Sequence, residues 1–184
     1  MKKKELFSLL LVMFIFMSTV LFMSIVLGIS TSATGTGSIT INTPENLSLE
    51  GEIFKAYKIF DATVGSPTNA NAYVYTVTVE FGKFDAYKSY AGYEEGQTLF
   101  DWFHAVLGDD QASDYNSSVM TTLASDLRDY ITVMGIETTY SETGTSSGVT
   151  IEGLPYGYYL VCGFALSEDN QVVATCALKN VTLP

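Results

Sequence analysis

The sequence is poor in the residues that most often carry enzyme chemistry. It holds one histidine, His104, and two cysteines, which is too few for a His/Cys zinc site, and we see no catalytic triad around His104. The acidic residues Asp109, Asp110 and Asp114 do not match the spacing of a calcium loop, and an acidic helix terminus explains them. No glycine-rich phosphate loop is present. We therefore expect no metal, no cofactor and no catalytic residues.

Positive charge is also scarce. Nine lysines and arginines stand against 20 acidic residues, for a net charge of −11, and the basic residues form no stripe. Such a balance excludes nucleic acid and anionic membrane surfaces as partners. The sequence marks no pair of glycosidase carboxylates, so a secreted hydrolase is the least favoured class of function.

The N-terminus predicts export. Three lysines follow Met1, an apolar run extends from Leu6 to Ile29, and small residues precede a cleavage point between Ala33 and Thr34. The alternative is an uncleaved anchor, because the run of 24 residues is long enough to span a bilayer. Membrane contact is expected through this segment alone. We assign residues 1–33 to the signal peptide, 34–37 to a flexible lead-in and 38–184 to one domain.

The order of patterns in the domain predicts a mainly β fold. Alternating or β-rich stretches come first, two helical stretches follow, and β-rich stretches close the chain. A β-sandwich with a helical insertion at about 97–135 explains this order better than an alternating βαβ fold. The predicted strands are 38–42, 52–60, 73–80, 149–151, 158–166 and 172–181, and the predicted helices are 97–107 and 117–134.

The last thirty residues predict a hairpin. The turn Gly153–Gly157 is followed by a β-rich run, a polar loop around Asp169 and a second β-rich run. A turn centred on Asp169 places Cys162 opposite Cys176, at a separation that suits a disulfide. An exported chain favours that bond over two reduced, buried cysteines, which is the alternative.

Lys58 and Asn180 suggest a second covalent link. Simple alternation places Lys58 on one face of its strand with three apolar residues, Phe54, Ala56 and Phe60. A lysine that loses its charge in an apolar core becomes a nucleophile, and attack on the amide of Asn180 would form an isopeptide bond with loss of ammonia. The alternatives are that Lys58 reaches solvent and that Asn180 forms ordinary hydrogen bonds. Lys55 is a weaker candidate for the same role.

Weaker signals concern recognition at the surface. Tyr87, Tyr90 and Tyr93 are candidate contacts for a ligand, or they pack beneath a loop. Glycosylation sequons begin at Asn46 and Asn116, and a third begins at Asn180, but matches of this kind arise by chance as readily as by function.

A series of motifs in order resembles one known family. The motifs follow the secretory signal and are Ser38–Ile41, Ala56–Asp61, Leu123–Tyr130 with Gly135–Ile136, and Gly153–Val161. Together they resemble the N-terminal domain of Gram-positive, sortase-assembled fimbrial shaft proteins, the isopeptide-forming pilin subunits. The resemblance covers nearly all of the mature chain.

The resemblance implies an immunoglobulin-like or Cna-B-like sandwich on the outer surface of a Gram-positive bacterium. It implies a structural or adhesive role, with other pilin subunits or host surface ligands as partners. A secreted single-domain binding module for a host glycan or protein is the alternative. No Tyr-Pro-Lys motif occurs and no sorting motif follows Leu183, so we expect a truncated or single-domain relative.

The resemblance also implies a catalytic glutamate in the strand after the Gly-x-Tyr turn. In this chain Cys162 or Gly163 stands at that position. Glu152 and Glu80 are the nearest acids that substitute for it.

Overall fold

The computed structural model describes residues 35–66, 69–107, 118–167, 169 and 171–181. The predicted signal peptide, its cleavage point at Ala33 and Thr34, the acidic residues of 109–114 and the sequon at Asn116 lie outside these residues. The helices in the described part of the chain are too short or too polar to cross a membrane.

The described residues form eight strands, two α-helices and two short 3₁₀ turns. The strands are β1 (Thr36–Asn42), β2 (Leu47–Ser48), β3 (Ile53–Ser66), β4 (Asn69–Val77), β5 (Ser141–Thr143), β6 (Gly148–Pro155), β7 (Gly157–Ser167) and β8 (Val172–Val181). The helices are α1 (Leu99–Leu107) and α2 (Ser118–Met134), and the 3₁₀ turns are Val79–Phe81 and Ala86–Ser89. The prediction of a mainly β chain with a helical excursion between strands is confirmed.

Two antiparallel sheets share these strands. In the larger sheet β7 pairs with β8 on one side and with β3 and β2 on the other, and β3 pairs in turn with β4 and β5. In the smaller sheet β1 pairs with β6 alone. The chain therefore crosses from the small sheet to the large one between β6 and β7.

The large sheet is covered on both faces. Its first face packs against the small sheet through apolar residues that include Phe54, Tyr159 and Val161. Its second face packs against the helices and 3₁₀ turns through a larger cluster, in which Trp102 and Leu160 are fully buried. Most of β7 is accordingly buried on both faces, which accounts for its nearly continuous apolar sequence.

A β-bulge in β3 changes which residues reach each core. Lys58 pairs with Tyr159 and Phe60 with Tyr158, so the register shifts by one residue between Lys58 and Phe60. The shift turns Phe60 toward the helices, where its ring meets that of Phe103. The prediction that Lys58 and Phe60 share a face is therefore wrong, because strict alternation holds only in a strand without a bulge.

The helices begin and end near their predicted limits. Thr98 precedes α1 and its hydroxyl accepts a bond from the Asp101 N–H, while the Asp101 carboxylate accepts from the Thr98 N–H. This reciprocal pair is a capping box, and the bonds from Thr98 lower the pKa of Asp101. At the end of α2 Met134 is 51% exposed. Strand β4 ends at Val77, and the residues up to Glu80 that we predicted as strand enter a 3₁₀ turn.

Candidate functional site

The closing hairpin has the predicted register. Strands β7 and β8 pair without interruption from Gly157 opposite Val181 to Leu166 opposite Val172. Cys162 lies directly opposite Cys176, and the two form a disulfide. The prediction of this bond is confirmed, and the alternative of two reduced cysteines is not what the structure contains.

A groove of about 550 Å³ lies beside the disulfide, on the helical face of the large sheet. Its lining includes Ile53, Lys55, Arg128, Phe164 and the two cysteines. Residues of helix α2 share a buried cluster with Leu160 and Leu178. Phe164 and Ile53 lie outside this cluster and are 48% and 56% exposed. We call this feature the disulfide groove.

Two basic side chains line the disulfide groove. Lys55 is the cross-strand neighbour of Cys162 in the β3–β7 pair, so the two side chains project from the same face. Arg128 projects from α2, and its guanidinium bonds Asp129 at 3.0 Å. In the part of the chain that the structure describes, no carboxylate lies within 4.0 Å of the Lys55 ammonium, although Glu52 also lines the groove.

Lys58 forms an ion pair within its own strand. Its Nζ lies 2.5 Å from Oδ1 of Asp61, and its side chain is 20% exposed. The stem of Lys58 passes over Gly157, where a Cβ would lie 2.6 Å from Lys58 Cε. Three residues along an unbroken strand would place Lys58 and Asp61 on opposite faces, so the bulge is what brings them together.

Asn180 is hydrogen-bonded on the other face of the large sheet. The Tyr75 hydroxyl lies 3.3 Å from Oδ1 and 3.2 Å from Nδ2 of its amide. Burial raises the pKa of the Tyr75 hydroxyl, against a smaller lowering by the bond to Asn180. Asn180 lies opposite Tyr158, whose ring faces the helices.

The structure does not bring Lys58 and Asn180 together. Lys58 lies opposite Tyr159 and shares the face of the small sheet, whereas Asn180 shares the face of the helices. The sheet itself separates the amine from the amide. Lys55 does lie on the helical face, but it is opposite Cys162 and therefore several residues along the sheet from Asn180.

The acids considered for isopeptide catalysis lie apart from Asn180. Glu152 is exposed on β6 of the small sheet. Glu80 is exposed in a 3₁₀ turn and lines a cleft of about 410 Å³ that also contains Lys58 and Asp61. The sequence did not predict the ion pair of Lys58 with Asp61, because these two side chains are neighbours only when β3 contains the bulge.

The three tyrosines of the predicted recognition patch take part in packing. Tyr87 is buried, and its ring meets those of Tyr93 and Trp102. Tyr90 also contacts Trp102, and its hydroxyl donates a hydrogen bond to the Asp126 carboxylate. Burial and this bond raise the pKa of Tyr90. The geometry favours the packing alternative for these residues.

Metal and histidine chemistry receive no support from the described residues. Among them, no three His, Cys, Asp or Glu side chains are grouped so as to hold a metal ion. His104 is exposed on α1, with its ring 5.9 Å from that of Phe100. Asn46, the first sequon residue, is exposed in a turn with a φ of 63°.

Comparisons with known proteins do not add a relative. No family model, curated protein or solved structure matches this chain.

Proposed function

We propose that the chain is a secreted structural or adhesive surface protein, similar to the N-terminal domain of a Gram-positive pilus shaft subunit. The observation that carries the proposal is the position of the motif Gly153–Val161. This motif contains the crossing from the small sheet to the large one, and Tyr158 and Tyr159 within it each anchor a different core. The most specific part of the family resemblance is thus also a central part of the fold.

A hydrogen bond of Tyr159 supports an immunoglobulin-like arrangement. Tyr159 is fully buried at the start of β7, and its hydroxyl donates to the carbonyl of Pro155 at 2.5 Å. Immunoglobulin-like sandwiches have a tyrosine near the start of a strand at the corner between the sheets, with its hydroxyl bonded to the backbone a few residues upstream. The bond in this chain spans the same kind of corner.

The test of the proposal is the location of the protein. Antibodies against the purified domain are used for immunogold microscopy of the source organism, with antibodies pre-absorbed on the domain as the control. We expect label on filaments at the cell surface, together with a mature N-terminus at Thr34 by mass spectrometry. Retention inside the cell with the N-terminal segment intact would contradict the proposal.

The alternative is a secreted binding module, and the disulfide groove is the observation that favours it. The groove combines exposed apolar side chains with charged ones, as recognition surfaces commonly do. Adhesion of the purified domain to host cells is compared for Phe164→Ser and for Val133→Ser, which alters an exposed apolar residue of α2 that does not line the groove. Diffuse surface label together with loss of adhesion in Phe164→Ser alone would favour the binding module.

A further inference from the structure

The Cys162–Cys176 disulfide is accessible to solvent in the folded protein. Both cysteines are only partly buried, and both line the disulfide groove. A purely structural disulfide is commonly enclosed in a core, where a thiol reaches it after unfolding. The position of this bond at a groove therefore raises the question of whether it exchanges with thiols.

The two sulfur atoms differ in how they can be attacked. Exchange requires a thiolate to approach one sulfur along the line of the S–S bond, from the side opposite the other sulfur. Behind Cys162 stands β3, since Lys55 pairs with Cys162. Behind Cys176 lies the outer edge of β8, and among the described strands β8 pairs with β7 alone. Attack on Cys176 is thus the open route.

The position of Lys55 favours Cys162 as the leaving group. The two residues are cross-strand neighbours on the same face, so their Cβ atoms lie about 5 Å apart and the Lys55 ammonium can reach the sulfur of Cys162. A nearby ammonium stabilises a thiolate and so speeds its departure. Glu52 and Arg128 also line the groove, and Arg128 is paired with Asp129, so these three residues together add one negative charge and only Lys55 stabilises the thiolate.

We propose that Cys162–Cys176 is an exchangeable disulfide whose substrate is a low-molecular-weight thiol. The thiolate attacks Sγ of Cys176 and forms a mixed disulfide, and Cys162 leaves as a thiolate beside Lys55. A second thiol then attacks the mixed disulfide, so that two thiols are oxidised to one disulfide while the protein bond is reduced. This site goes beyond the proposed surface function and does not depend on it.

The test compares three thiols of similar size with the folded, disulfide-bonded protein. These are 3-mercaptopropionate, 2-mercaptoethanol and cysteamine, which are negative, neutral and positive. Each rate is expressed per thiolate and is divided by the rate of the same thiol with a neutral model disulfide, which removes differences in intrinsic reactivity. The measurements are made at about 0.15 M salt, so that distant charges are screened. Because Lys55 acts on the leaving thiolate, we expect Lys55→Gln to slow all three thiols alike, by up to about fivefold, the upper end for one exposed charge pair.

The net charge of −11 acts on the incoming thiol and should favour cysteamine equally with and without Lys55. Lys55→Arg should keep the rates of the unaltered protein, and so should Lys88→Gln, which alters an exposed lysine elsewhere. Circular dichroism checks that each variant is folded. Peptide mapping of the trapped adduct should place the thiol on Cys176.

Three results would overturn the proposal. The first is a rate that Lys55→Gln leaves unchanged for all three thiols. The second is an adduct on Cys162. The third is a rate that does not depend on thiol concentration, because the bond would then react only after the protein opens.

Discussion

The residue at position 163 is restricted by the ring of Phe54. A Cβ at Gly163 would lie 2.7 Å from Cγ of Phe54, which is fully buried between the two sheets. The family resemblance places a catalytic glutamate at Cys162 or at Gly163. The ring of Phe54 leaves no room for a carboxyl group at Gly163, and the disulfide occupies Cys162. This side of β7 is shaped for close packing of the sheets.

Gly163→Ala should therefore destabilise the protein. We expect a loss of about 1–3 kcal/mol in the free energy of unfolding, because the added methyl group must displace the Phe54 ring in a packed core. Urea denaturation followed by circular dichroism measures the loss. Gly82→Ala is the control, since Gly82 has a right-handed helical conformation and its added Cβ would lie 3.5 Å from the nearest atom. Equal stability of the two variants would contradict the prediction.

The mass of the purified protein separates the two covalent links. Because Lys58 and Asn180 lie on opposite faces of the large sheet, we expect a deficit of about 2 Da, for the two hydrogens lost in the disulfide. Reduction should restore the full mass of the mature chain. A further deficit of about 17 Da, the mass of ammonia, would show that an isopeptide bond forms and that the sheet geometry is wrong.

At the scale of elements, the closing hairpin was predictable and the bulge in β3 was not. The hairpin register follows from local information, namely a polar turn around Asp169 and two cysteines that match across it. The bulge depends on how β3 pairs with β4 and β7, which are distant in sequence. The Lys58–Asp61 ion pair was missed for the same reason. The start of α1 was predictable more sharply, because Thr98 and Asp101 have the spacing of a capping box.

The bulge makes Phe60 a core residue of the helical layer. Its ring contacts those of Phe100, Phe103 and Tyr158. Phe60→Ala should cost about 3–5 kcal/mol in the free energy of unfolding, since it leaves a large cavity between β3 and α1. Urea denaturation of the full domain measures this loss. Ile53→Ala, in the same strand but 56% exposed, should cost less than about 1 kcal/mol. A small effect of Phe60→Ala would show that Phe60 does not face α1.

At the scale of the whole molecule, one sheet buried on both faces ties the two layers together. The order of elements predicted a sandwich, but not that the helical insertion covers the outer face of the larger sheet. That arrangement depends on contacts between α2 and the strands β7 and β8, which no local pattern specifies. It also buries many tyrosines, because aromatic rings pack on both faces of the large sheet, against the small sheet on one side and against the helices on the other.

These enclosed tyrosines should make the protein sensitive to alkali. The folded state raises the pKa of Tyr75, Tyr87, Tyr90 and Tyr159, in each case chiefly by burial, above the value of about 10 expected in the unfolded chain. Above pH 10 the unfolded chain therefore loses protons that the folded state keeps. Stability is complete below that pH and falls as the pH rises further.

Urea midpoints measured by circular dichroism at pH 8 to 11.5 test this sensitivity. We expect a steady decline above pH 10, and a shallower one in Tyr159→Phe, which removes one of the four groups. That variant should also lose about 1 kcal/mol at pH 8, because the Pro155 carbonyl loses its donor. Thr98→Ala, which weakens the cap of α1 by a similar amount, is the control and should keep the full alkaline decline. A midpoint that stays constant to pH 11.5 would mean that these hydroxyls ionise as readily in the folded protein as in the unfolded chain.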